Sequence, residues 1–151
     1  MLDIFYILFL LLFSLNVYSF PLTPNPKVSP GSLCTIHDPD FDGFRYLESI
    51  PHCKRNVSTK LKKKVCKRDG VTDRRNYTVD HIYPLSLGGS NHSDNLWCQH
   101  KSIYTGHLEY DIYKKVRDGE MKIEEARKII YNKKFYPNFF KIKSAHSSTV
   151  F

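Results

Sequence analysis

The chain has 151 residues, 23 Lys and Arg against 15 Asp and Glu for a net charge of +8, and four cysteines. That length supports one modest core and excludes a second full domain. The basic excess argues for a polyanionic partner, nucleic acid ahead of an acidic membrane surface or a glycan.

The first stretch, IFYILFLLLFSLNV over Ile4 to Val17, is almost wholly apolar. As a helix it would reach about 21 Å, short of the roughly 30 Å of a bilayer core, so a secretory signal peptide is expected over residues 1–19, with cleavage after Ser19. Cleavage removes one acid, Asp3, and no base, which raises the net charge from +8 to +9. Residues 20–55 form a Pro-rich leader (FPLTPNPKVSPGSL) and an irregular segment bracketed by Cys34 and Cys53. Four cysteines in an exported chain read as two disulfides with three possible pairings; Cys34 with Cys53 and Cys66 with Cys98 is the pairing preferred, because the first would staple a loop-rich segment. None has C-x-x-C spacing, which argues against a structural zinc cluster.

From Asn56 the pattern turns helical, with Val57, Leu61 and Val65 four apart, Asn56 or Ser58 available as a cap, and Gly70 beyond the end. Lys60, Lys62, Lys63, Lys64, Lys67 and Arg68 make this helix strongly basic, either as a solvated face or as a phosphate-tracking patch. Tyr77 to Ile82 reads as a strand, and Leu96 to Cys98 as a short one that pairs back on it across a loop holding Pro84 and Gly88-Gly89. A second helix is expected from Thr105 or His107 to about Val116. A third uses Ile123, Ala126, Ile129 and Ile130, with Glu124 and Glu125 in the first turn, where the helix dipole favours acids. Residues 136–151 give no clear element.

The polar residues of this strand, loop, strand, helix run can be read chemically. Asp80 is a hard oxygen ligand, and His107 in the following helix can bring nitrogen to the same cation. His81 suits a general base near neutral pH. Adjacent strand residues point to opposite faces, so Asp80 and His81 serve one phosphate only where the strand ends or twists.

The stretch DHIYPLSLGGSNHSDNLW resembles the core of the HNH endonuclease family: Asp-His, an apolar-Pro-Leu step, Gly-Gly, then Asn-Leu on a second strand. The resemblance covers residues 77 to about 116 and extends more loosely to secreted or periplasmic bacterial proteins that carry the motif. It implies an α+β fold with a small ββα-metal (HNH/His-Me finger) core, flanking helices and disulfide staples, the nuclease domain occupying residues 56–135. It implies that Asp80 is a metal ligand, His81 the base, and Asn95 the residue that holds loop or base by hydrogen bonding, with Asn91 its competitor. His107 would be the last ligand, although the family sets that histidine nearer the Asn, where Tyr104 stands here. On the helix His107 and Asp111 share a face and Glu109 lies about 200° from His107; related secreted chains favour an acid at the Glu109 position.

The function expected is metal-dependent hydrolysis of nucleic-acid phosphodiesters with low sequence specificity. It would use one divalent ion, Mg²⁺ ahead of Mn²⁺, Zn²⁺ or Ni²⁺, on DNA or RNA held through backbone phosphates by the basic helix, Arg74 and Arg75. The alternative is an exported non-catalytic binder of nucleic acid or another acidic polymer. A secreted or periplasmic monomer without stable membrane association is expected. His92 and His100 are read as exposed and idle, and Trp97 as packing the motif.

Overall fold

The structure, a computed structural model, describes residues 23–137. The expected signal peptide lies outside the described residues, as does the tail from 138 onward. Two small antiparallel sheets are present: Phe41–Arg45 (β1) pairs with Ile50–Cys53 (β2), and Tyr77–His81 (β3) pairs with Leu96–His100 (β4). Helices Thr59–Arg68 (α1), Gly106–Arg117 (α2) and Ile123–Phe135 (α3) complete an α+β fold stapled by Cys34–Cys53 and Cys66–Cys98, the preferred pairing. None of the helices among the described residues is long and apolar enough to cross a membrane.

The helices follow from local chemistry. Ser58 caps α1 by accepting from Leu61 N at 3.1 Å, which satisfies a backbone donor that the first turn cannot. Val65 and Cys66 turn inward, and the Cys66–Cys98 bridge fixes α1 to β4. The apolar stripes of α2 and α3 meet: Ile112 and Val116 pack with Ile123, Ala126 and Ile130, and Leu87 from the long loop enters the same cluster.

β3 and β4 keep an unbroken register from Tyr77 opposite His100 to His81 opposite Leu96. Period-two alternation divides β3 into two faces. Tyr77 and Val79 pack with Cys66, Val71 and Cys98 toward α1. Trp97, the partner of Asp80, packs with Ile82 and Phe135 toward the end of α3.

Two expectations are corrected. Between Cys34 and Cys53, residues 34–40 are irregular as expected, but residues 41–53 form a hairpin. Its register shifts between Phe41 and Phe44, where Gly43 takes φ 93°, and its turn uses Tyr46 (φ 62°) and Ser49 (φ 52°) in the left-handed region, so alternation does not mark the strand and no glycine marks the turn. The Pro-rich leader, from Thr23 onward, is also tied to the motif loop. The Ser29 hydroxyl, fully buried, donates to Leu96 O at 2.9 Å, Gly31 N donates to Asp94 O at 3.0 Å and Cys34 N to Gly88 O at 2.9 Å. The residues between the prolines keep their donors, and the carbonyls of the loop take them up.

Candidate active site at the end of strand β3

The loop from Ile82 to Asn95 is built tightly. Gly88 takes φ 77°, and a Cβ on Gly89 would stand 1.8 Å from Tyr83 O, a backbone atom that cannot move aside. Asn95 clamps the loop from within, being fully buried. Its Oδ1 accepts from Tyr83 N (2.9 Å) and Ser32 N (3.3 Å), while its Nδ2 donates to Tyr83 O (3.0 Å) and Ser90 O (2.8 Å). All four hydrogen-bonding positions of the amide are used, so Asn95 holds the loop and has nothing left for the base.

The residue that touches His81 is Asn91. Its Nδ2 donates to Asp40 Oδ2 (3.0 Å) and to Lys54 O (2.7 Å), two groups that can only accept. This fixes the amide, and Oδ1 faces His81 Nε2 at 3.2 Å. Nε2 must therefore carry the ring proton, and Nδ1 keeps its lone pair. Nδ1 is buried and has no hydrogen-bond partner. Burial pushes the imidazole below its ordinary pKa, more than the Asn91 hydrogen bond raises it. The ring is thus neutral at neutral pH, with the unprotonated nitrogen unsatisfied.

Asp80 leaves the strand toward α3. Its Oδ2 accepts from Lys134 Nζ at 2.7 Å, and the same ammonium pairs with Glu109 Oε1 at 2.8 Å and donates to the His81 carbonyl. The Lys134 side chain is 1% exposed. Burial alone would lower its pKa, but Asp80 and Glu109 outweigh that and raise it, so the group stays charged. Glu109 is held in turn by the Thr105 hydroxyl at 2.8 Å.

Of the three helix candidates, Glu109 shares a partner with Asp80. His107 is exposed and sets its ring edge to face against Tyr104, with centroids 6.0 Å apart. Asp111 is exposed and pairs with Lys114 at 3.1 Å. The residues as placed do not fit the expected divalent ion, because the point where the Asp80 and Glu109 oxygens converge is filled by an ammonium whose three N–H groups all have acceptors. Cys34, Asp38 and Cys53 also lie close together, but both sulfurs are spent in a disulfide and offer no thiolate.

The basic surface divides into two kinds of residue. Lys60, Lys62, Lys63, Lys64 and Lys67 on α1 are exposed, as are Arg55 and Arg74. The Arg55 charge is felt at His81, where it disfavours protonation. Arg68, expected on phosphate, is instead a staple: it donates to Ser93 O and Leu96 O at 2.7 Å and to Ser29 Oγ at 2.6 Å. Arg75 is paired with Asp73 at 2.6 Å. His92 is exposed but not idle, since Nε2 pairs with Asp38, and His100 bonds Ser102. Trp97 packs the motif, at 2% exposure.

Sequence reasoning placed Asn91 second to Asn95, although it is Asn91 that touches His81, and it missed Lys134. Asn91 carried a usable signal, being an amide in the motif loop; Lys134 carried none beyond its basic type. Set against known proteins, the chain matches no family model, no curated protein and no solved structure.

Proposed function

We propose that the chain is an endonuclease that hydrolyses nucleic-acid phosphodiesters with low sequence specificity, His81 being the general base. The observation that carries this reading is the fixed tautomer of His81: Asp40 and Lys54 O orient Asn91, Asn91 orients the ring, and Nδ1 is left with a lone pair and no partner. Three buried nitrogens lack a partner among the described residues, at His52, His81 and Trp97; of these, His81 Nδ1 is the one whose lone pair a fixed neighbour leaves open to a proton donor within the motif, which is what a general base requires. In the reaction, water gives its proton to Nδ1 as its oxygen bonds to phosphorus. The bond from phosphorus to the 3′ oxygen breaks, and that oxygen takes a proton from solvent. The order β3, loop, β4, α2 is that of the ββα arrangement to which the motif is similar, and the α1 lysines with Arg55 and Arg74 supply backbone-phosphate contacts. Two disulfides agree with an oxidising, extracytoplasmic setting.

A second reading keeps the exposed α1 lysines and discards turnover: an exported binder of acidic polymers. Nicking of supercoiled plasmid and cleavage of single-stranded RNA by the oxidised chain separate the two, run in chelator and with Mg²⁺, Mn²⁺, Zn²⁺ or Ni²⁺. The nuclease reading expects cutting that falls about 100-fold or more in His81→Ala. Retention of either polymer without cutting under every condition leaves the binding reading, and equal cutting by His81→Ala removes His81 as the base.

A further inference from the structure

We infer that Lys134 is a built-in cation standing where a divalent ion would otherwise sit, so that the protein works without added metal. Asp80 and Glu109 come from β3 and α2, 29 residues apart in sequence, and their oxygens converge on one point. Two carboxylates and a backbone carbonyl form the all-oxygen donor set that a hard cation takes. Here α3, in its last turn, delivers the cation on a side chain. The ammonium lies 2.7 Å from Asp80 Oδ2 and 2.8 Å from Glu109 Oε1, and it also donates to His81 O.

Three features separate this from an ordinary surface ion pair. The side chain is 1% exposed, whereas most lysines of this chain stand in solvent. Both carboxylates are engaged by one donor, which offsets half of their combined charge in place. The third acceptor is the backbone of His81, so the ammonium also anchors the strand end that carries the proposed base. Lys134 is therefore a positioning residue: it bridges the acidic pair beside the site and holds the His81 main chain, and it touches no substrate. With all three N–H groups used, a divalent ion enters only by expelling an ammonium tethered to the core through Phe135.

The role in hydrolysis rests on the nuclease reading, but occupancy of the seat does not, and the two are tested by different readouts. Mn²⁺ binding is followed by electron paramagnetic resonance on the oxidised full chain, for the wild type, Lys134→Met, and Lys134→Met combined with Asp80→Asn and Glu109→Gln. The wild type is expected to bind no Mn²⁺ up to about 1 mM, Lys134→Met to bind about one ion at least 10-fold more tightly, and the triple variant to lose it. Plasmid nicking by the wild type is expected to stay within about twofold in excess chelator, and that of Lys134→Met to need Mn²⁺. Tight Mn²⁺ binding by the wild type that Asp80→Asn removes would overturn the inference, as would chelator-abolished, Mn²⁺-restored nicking. A folded Lys134→Met that ignores Mn²⁺ would also overturn it. If Lys134→Met does not fold, the two wild-type measurements still decide. If no form cuts nucleic acid, the nuclease reading fails while Mn²⁺ binding still reports on the seat.

Discussion

At the end of β3 two neighbouring side chains leave the backbone into unlike surroundings. Asp80 enters a charged pocket in which every ammonium hydrogen has an acceptor. His81 meets a neutral amide on one nitrogen and nothing on the other. The first pocket has its donors satisfied; the second has an unmet demand. The difference teaches that ionisable side chains clustered in a motif need not share one task. Here charge secures the strand end, and a neutral ring is held with one nitrogen unpaired.

The largest expected effect lies on the charged side. Lys134→Ala leaves Asp80 and Glu109 facing each other without a cation, and urea unfolding should show a loss of about 3 kcal/mol. A loss below about 1 kcal/mol would mean that the two carboxylates are readily hydrated, and the contrast between the pockets would weaken. Next comes Asn91→Ala, which removes the partner of His81 Nε2 and leaves Asp40 Oδ2 without the Asn91 amide. A cost of about 1–2 kcal/mol is expected, and nicking should slow more than that loss of folded protein explains. Unchanged nicking by a folded Asn91→Ala would show that the ring needs no orienting amide.

The two histidines of the motif loop sharpen the comparison through pH. The folded pKa of His81 is lowered by burial, so its contribution to stability is present above the unfolded value of 6.5 and is lost as pH falls. The acid limb of the nicking profile should accordingly lie below pH 6.5; a limb above that value would exclude His81 as the titrating base. His92 is raised, first by its hydrogen bond to Asp38, so its contribution is full below 6.5 and lost as pH rises through the folded value. The pair is exposed on the His92 side, and His92→Gln should cost only a few tenths of a kcal/mol at pH 6 by thermal melting, less at pH 8. A gap that widens with rising pH would mean that another group is titrating.

The helices, the β3–β4 pair and the disulfides were legible because each has a local cause: a stripe at helical spacing, a capping serine, an alternating run, an even set of cysteines. The Asp80-His81 pair was legible as a motif. Asn95 and Asn91 were both visible, but only three dimensions divide their work, since Tyr83 and Ser90 claim one and Asp40 claims the other. Lys134 was hidden because a lysine in the last turn of a helix is what the helix dipole favours anyway. Its 54-residue separation from Asp80 is bridged only by tertiary packing. The β1–β2 hairpin was hidden by a bulge and by non-glycine residues at positive φ.

The seat of the leader on the motif loop bears on when the molecule becomes competent. Ser29 must wait for Leu96, 67 residues later, and Ser32 for Asn95, 63 residues later, so this segment finds its place only after the second strand of the motif has been made. Cys34–Cys53 then locks that segment to β2, and Cys66–Cys98 locks the basic helix to the strand opposite β3. In a reducing compartment neither lock can close, and the loop that orients His81 loses its brace. The brace on the His81 loop thus depends on oxidation of both cysteine pairs.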